Sequence, residues 1–413
     1  MELTKVKNLI PRKMHLTTFH SNGEDIDKGL CVWFPAPKTF TGEDIVEFQV
    51  HGSLAVVNRL YKELDALGFT LAEKGEFTRR AFFNQKIDLV KVEGLSNLLN
   101  SETEIQRKLA FSQFGGHTSA FFQNLRTDLM RLLANLEAFI DFSEEDQIEV
   151  PLSMLKQDLD QKITSIESKL SNKSTEILKQ GIKIAIIGSP NAGKSTLFNQ
   201  LCRRKASIVS EIPGTTRDVI DATLDIAGFP VHLIDTAGLR NDPDRLEAEG
   251  IKAAKERILN ADIKILVIDS SKLPANFDRS CLHFEDAVLQ EASTDESTVI
   301  VFNKADLGNL PGLMRPRDFF LSCENQSEIS KFTEGLGKFL GLDHQVDQVA
   351  LELRHKKHLT ECLQQLKAAQ KSSEIVVTAE HVQEALIEVG KLTGRVDPDE
   401  VLDIVFGSFC IGK

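Results

Sequence analysis

No two cysteines in this chain form a C-x-x-C pair. The six residues Cys31, Cys202, Cys281, Cys323, Cys362 and Cys410 are scattered, which argues against a disulfide framework or a structural zinc site and for a reducing compartment. No apolar run reaches the roughly 18 residues of a membrane span, so no membrane partner is expected. Positive charge is not in excess. With a net charge of −12, any nucleic-acid partner would need a local basic surface. The opening MELTKVKNLIPRKMH has neither a signal-peptide apolar core nor an Arg/Ser-rich transit pattern. It enters a strand-like region abruptly, and a preceding N-terminal piece is expected.

What is present fits a multidomain globular chain. Hydrophobic content of 41% and charged content of 27% are ordinary, and 413 residues exceed one ordinary core. Residues 1–84 mix short apolar runs with Pro and Gly turns, and IVEFQV alternates as a strand does. A small α+β domain is expected there. Residues 85–177 read as helix: Leu125, Leu129, Leu132, Leu133, Leu136 and Ile140 form one stripe, and Leu155, Leu159, Ile163, Ile166 and Leu170 another, both read as bundle core. At IKIAIIG the pattern changes to a continuously apolar strand of a parallel sheet. Strand-like and helix-like runs then alternate through PVHLID, EGIKAAKERI, KILVID, STVIVFN and ISKFTEGLGKFL, predicting a doubly wound α/β domain over 178–342. Helices return over 343–413, with Leu353, Leu359, Cys362 and Leu366 on one face and Thr378 capping a helix that carries Val382, Leu386, Val389 and Leu392. The α/β domain is therefore expected to be inserted into a helical one.

The insert carries the chemistry. GSPNAGKST (188–196) fits G-x-x-x-x-G-K-[ST] between a strand and a helix, the context of a phosphate loop. Gly188 and Gly193 let backbone N–H groups turn toward phosphate at a helix start. Lys194 reaches the β and γ phosphates, and Ser195 offers its hydroxyl to Mg²⁺. DTAG (235–238) follows a strand. Asp235 would hold the magnesium shell through water, and the Gly238 N–H would sense the γ-phosphate. NKAD (303–306) follows another strand, and Asn303 and Asp306 match the edge of guanine. Adenine offers the wrong donors there and would leave buried polar groups unpaired. GTTRD (214–218) lies where a switch loop belongs, with Thr216 as second magnesium ligand. LSC (321–323) stands at the base-contacting loop through Ser322, where the third residue is usually Ala. Ala192, Thr196, Thr236, Ala237 and Lys304 complete the expected GTP-binding set.

The group that orients the attacking water is less evident. Ras-like enzymes use a Gln after DTAG, and here Leu239 stands there. The following carboxylates Asp242, Asp244, Glu247 and Glu249 are all candidates. No arginine finger is identifiable. A cation could replace it, with Asn191 inside the phosphate loop and backbone oxygens of SEIPGTT nearby.

GSPNAGKS, IVSEIPGTTRD, DTAGLR and NKAD, within a helical domain ending FCIGK, resemble the MnmE (TrmE) family of tRNA-modification GTPases. So do FPAPKTFTGEDIVEFQVHG, KGEFTRRAFFNQKIDL and DFSEED (141–146). SIVSEIPGTTRDVIDATLDIAGFPVHL is closer to its mitochondrial branch, implying the mitochondrial matrix, with bacterial cytoplasm as the alternative. The resemblance implies a homodimer joined through N-terminal domains that bind 5-formyl- or methylene-tetrahydrofolate. It implies an FAD-dependent, MnmG-like partner, and an aminomethyl-type group, such as carboxymethylaminomethyl or taurinomethyl, placed on C5 of the wobble uridine (position 34) of certain tRNAs. It also implies potassium-stimulated GTP hydrolysis. Asn191 would bind K⁺ through its side chain, with Ser210, Ile212 and Thr215 completing the shell; Ser210 and Thr215 also join the GTP set. Glu247 matches the water-positioning glutamate. Glu47, Lys86 and Lys413 match folate-pocket positions. The family's opening strand, bearing a pocket arginine, precedes the region where this chain begins. An Era-like ribosome-assembly GTPase, acting as an RNA-binding switch, is the alternative from another class.

The tail CIGK has the spacing of a prenylation box, but Gly412 and Lys413 fit it poorly and no polybasic run precedes it. In the family the tail reaches toward the folate pocket. Cys410 is therefore expected beside the one-carbon donor as a catalytic thiol, against the plainer reading of a buried inert cysteine.

Overall fold

The computed structural model describes residues 3–6, 8–142, 152–171, 181–205, 222–235, 261–274, 277, 282–284, 286–295, 298–308, 315, 317–340 and 349–394. The chain divides into two compact units: residues 1–99, 111–167 and 353–413 form one, and 100–110 with 168–352 the other.

The first unit opens on an antiparallel sheet of β1 (His15–Ser21), β2 (Glu24–Phe34) and β3 (Ile45–Gln49), in that order. Asn22 and Gly23 both have positive φ, 49° and 80°, the pairing a two-residue hairpin turn demands. α1 (Leu54–Ala66) starts at Ser53, whose hydroxyl caps the Val56 N–H. Leu60 of α1 packs with Phe19, Cys31, Phe48 and Val56 into a small core. α2 (Glu76–Phe83), α3 (Leu89–Leu99), α4 (Glu104–Phe114), α5 (His117–Phe142) and α6 (Leu152–Leu170) follow, and α10 (Leu353–Lys371) and α11 (Ile375–Leu392) form a later helical hairpin. The expected stripes are core: Leu125, Leu129, Leu132 and Leu136 on α5 and Leu159, Ile163 and Ile166 on α6 are buried, with Leu133, Ile140 and Leu170 half-buried. Leu155 is outside the residues whose side chains are described.

Two expectations are corrected. Leu353 is 67% exposed, because the buried face of α10 begins a residue pair later, at His355, and runs through Leu359, Cys362 and Leu366. Thr378 is not a cap. α11 starts a turn earlier, after an extended Glu374, and the Thr378 hydroxyl donates back to the Glu374 carbonyl from inside the helix.

A buried ionic knot ties the helices. Glu93 on α3 accepts from Arg354 at 2.8 and 3.2 Å and from His355 at 2.7 Å. Arg354 also donates to the Lys391 and Leu392 carbonyls at the end of α11, both at 3.0 Å. Desolvation of Glu93 is outweighed by its interactions with His355 and Arg354, and its carboxyl is held down at about 2.

The second unit is a six-stranded sheet in the order β5-β6-β4-β7-β8-β9: β4 (Ile182–Gly188), β5 (Ala222–Ile226), β6 (Phe229–Asp235), β7 (Ile263–Asp269), β8 (Thr298–Asn303) and β9 (Asp318–Leu321). All pairs are parallel except the β5–β6 hairpin. Alternate residues feed two cores, as a strand covered on both faces requires. Ile184, Ile186, Ile265, Val267, Val299 and Val301 pack with Leu197 and Leu201 of α7 (Lys194–Lys205) and Phe332 and Leu336 of α9 (Gln326–Phe339). Ala185, Ile187, Leu266, Ile268, Ile300 and Phe302 pack with Ala292 of α8 (Ala287–Thr294). Ile105 and Leu109, from α4, pack on the first of these cores.

Candidate functional site: a nucleotide pocket at the strand ends

Parallel strands place their carboxyl ends together, and the ends of β4, β7, β8 and β9 carry the candidate site. β4 runs into Gly188 and α7 begins at Lys194, so the intervening loop faces a helix N-terminus, where exposed N–H groups and the dipole favour an anion. Two glycines are dictated by space. A Cβ on Gly188 would sit 2.3 Å from the Val267 carbonyl oxygen, and one on Gly193 would sit 2.0 Å from Asn303 Nδ2. Their φ angles, 148° and 103°, also lie where side chains are disfavoured. Asn191 takes φ 62° between them. Lys194 Nζ donates to the carbonyls of Gly188 and Ser189, each at 2.9 Å, and so lies across the mouth of the loop. Ala192 is buried, while Asn191, Ser195 and Thr196 are exposed. Ser195 thus has its hydroxyl at the start of α7, on the open side where Mg²⁺ would be held.

Asn303 is 3% exposed. Its Nδ2 donates to the Ala192 carbonyl at 2.8 Å and its Oδ1 accepts from the Cys323 N–H at 3.0 Å. One carboxamide thereby binds the phosphate loop to the loop after β9. Lys304 follows at φ 61°, and its Nζ pairs with Asp269 Oδ2 at 2.7 Å. Asp306 is exposed on the same turn. Ser322 is nearly buried, with its N–H held by Glu328 Oε2 at 2.7 Å. Burial, with Glu324 adding to it, pushes the Cys323 thiol up to about 12, so this cysteine is a space-filling neutral group in place of the usual alanine.

The structure therefore brings together Asn191, Ala192, Gly193, Lys194, Ser195 and Thr196 with Asn303, Lys304, Asp306 and Ser322. Asp235 ends β6, and Ile186 of β4 is its paired neighbour; its side chain is outside the described residues, as are Ser210, Ile212, Thr215, Thr216, Thr236, Ala237, Gly238, Glu247, Cys410 and Lys413. Asp269, Ser270 and Glu328 were not singled out from the sequence. Each is a common residue type at a strand or helix end, without a motif of its own.

In the first unit, Lys86 Nζ donates to the Pro37 carbonyl at 2.6 Å. Asn84 reaches the Thr41 carbonyl at 2.7 Å and Arg80 pairs with Glu43 at 3.0 Å, so the 36–44 loop is clamped to the end of α2. Glu47 is exposed on β3, paired in register with Val32.

Two family models match nearly the whole chain: the MnmE helical domain over residues 89–410 and the GTP-binding protein TrmE N-terminus over 1–86. The chain belongs to the MnmE/TrmE family. Relatives bear this out over most of their length. The "tRNA modification GTPase gtpbp3, mitochondrial" of Dictyostelium discoideum is 37% identical over all of this chain and 88% of its own. The "5-taurinomethyluridine-[tRNA] synthase subunit GTPB3, mitochondrial" of Homo sapiens is 39% identical over 95% of this chain and 82% of its own. The "tRNA modification GTPase MnmE" of Anaplasma phagocytophilum (strain HZ) is 38% identical over all of this chain and 92% of its own. The helical match spans both sides of the α/β segment, and it favours the tRNA-modification reading over the ribosome-assembly alternative.

Proposed function

We propose that this chain is the GTP-hydrolysing subunit of a tRNA wobble-uridine modification enzyme, stimulated by potassium and working with an FAD-dependent partner. GTP hydrolysis in tRNA modification is the family's activity. The observation that carries it here is the joined pair of loops, 188–195 and 303–306, sharing the Asn303 carboxamide. The first fits a triphosphate and the second a guanine edge.

The roles follow from placement. The loop N–H groups and Lys194 would cradle the β and γ phosphates. Asn303 and Asp306 would read guanine, with Ser322 beside them. Ser195 and Thr216 would hold Mg²⁺, with Asp235 behind a water; the ion, when bound, offsets charge on the leaving phosphates. Asn191, with Ser210, Ile212 and Thr215, would hold K⁺ as a fixed positive charge where other GTPases use arginine. Glu247 would orient the attacking water. In the N-terminal segment Glu47 and Lys86, with Lys413, would hold a tetrahydrofolate, and Cys410 would act beside its one-carbon group. A homodimer through this segment is the arrangement the family resemblance implies. The match to mitochondrial and bacterial relatives supports either compartment, and the switch-segment sequence favours the mitochondrial matrix.

Mass spectrometry of tRNA nucleosides from a strain lacking the gene tests the reading. Loss of a C5-modified uridine at position 34, restored by the intact gene, is expected. An unchanged nucleoside profile would overturn it.

A further inference from the structure

The segment after β7 braces the 303–308 turn at several points. Asp269 divides its two carboxylate oxygens. Oδ1 accepts from the Ser271 N–H at 3.2 Å and its hydroxyl at 2.5 Å, starting the 3-10 turn Ser270–Lys272. Oδ2 takes Lys304 Nζ at 2.7 Å. Ser270 donates its hydroxyl to the Asn303 carbonyl at 2.7 Å. Gly308 passes so close that a Cβ there would sit 2.6 Å from Ser270 Oγ. Asp269 also shares the wall of a cavity of about 260 Å³ with Ser189, Pro190 and Ala192 of the phosphate loop.

The Asp269 side chain is 7% exposed and that of Lys304 34%. The Lys304 ammonium is thus paired with a nearly buried carboxylate, while about a third of its side chain stays exposed. A long cationic side chain left alone points its charge to water and keeps its stem mobile. Here the left-handed backbone at Lys304 and the Asp269 anchor hold the Lys304 side chain within the turn that carries Asn303 and Asp306, the two residues that would grip a guanine edge. We propose that Asp269 is a positioning residue for the nucleotide: by anchoring the Lys304 ammonium it lays the Lys304 stem along the face of the bound base. The proposal rests on reading 303–306 as the guanine loop.

Asp269→Asn isolates this role. The amide oxygen still caps the turn at Ser271, but the charge that holds Lys304 is gone. In the full chain, fluorescence titration with labelled GDP and with the inosine analogue IDP is expected to show about tenfold weaker binding of both. The two should fall by the same factor, because the stem covers the ring face and touches no 2-amino group. Lys304→Met keeps most of an apolar stem but cannot pair, and it should lose a similar factor. The double variant should then lose no more than either single, since both remove one interaction. Unaltered affinity in Asp269→Asn, a changed GDP-to-IDP ratio, or losses that multiply in the double variant would each overturn the proposal. Should Asp269→Asn fail to fold, Lys304→Met alone decides it, and wild-type affinity there overturns it. Asp306→Ala with wild-type GDP affinity would instead sink the guanine-loop reading itself.

Discussion

At the scale of single residues, charge burial sets the acid stability of the helical unit. Glu93 titrates near 2 in the fold and near 4.5 when unfolded. Its contribution is fully present above the unfolded value and fades as pH falls toward 2, amounting to about 3 kcal/mol at neutrality. Thermal melts should therefore lose ground steeply below about pH 4.5, and Glu93→Gln should flatten that dependence. The same variant leaves Arg354 buried with one partner gone, and a cost of about 3–5 kcal/mol is expected at pH 7 by denaturant titration. If Glu247 orients the attacking water as proposed, Glu247→Ala should retain GDP binding and lose GTP turnover by about a hundredfold; single-turnover rates equal to wild type would remove Glu247 from that proposed role.

At the scale of elements, motif residues were the legible part. GSPNAGKS and NKAD announce themselves because phosphate and guanine each restrict which residue types can stand at fixed offsets. The central strands β4, β7 and β8 were equally plain, since burial on both faces leaves a continuous apolar run. The edge strands β5 and β9, with five and four residues, carry no such run and follow from the sheet rather than from local pattern. The braces were hidden for another reason: Asp269 reaches the turn after the neighbouring strand, and nothing in a single strand tells which distant loop its last carboxylate will meet, while Glu328 turns back from α9 onto the Ser322 N–H. Thr378 reads as a cap because a hydroxyl looks like one wherever it stands, while α11 starts a turn earlier. Close approach gives a sharp test at this scale. Gly193→Ala puts a methyl group 2.0 Å from Asn303 Nδ2, and so strains the phosphate loop and the base loop together. Its GDP affinity should fall by at least tenfold while far-UV circular dichroism stays unchanged. A variant that binds normally would show that the two loops are not rigidly joined.

At the scale of the whole molecule, potassium dependence is the first test. GTPase rates in KCl should exceed those in NaCl at equal ionic strength, and Asn191→Ala should erase the difference. Rates that never differed would remove the cation from the proposal. The way the chain is threaded supplies a second. A simple insertion joins its host at two points, but here the backbone enters the α/β unit at 100, leaves after 110, re-enters at 168 and leaves after 352. The first passage delivers Ile105, against which the β5–β6 turn is set so closely that a Cβ on Gly228 would lie 2.4 Å away. A fragment cut at 178 and 342, where the sequence pattern changes, discards that covering and should bind GDP yet melt lower than the same fold in the full chain. The enzyme is in this respect sewn rather than plugged together. No scissor cut at one place frees the nucleotide unit whole, and a lineage that borrowed it as a cassette would have had to borrow part of α4 as well.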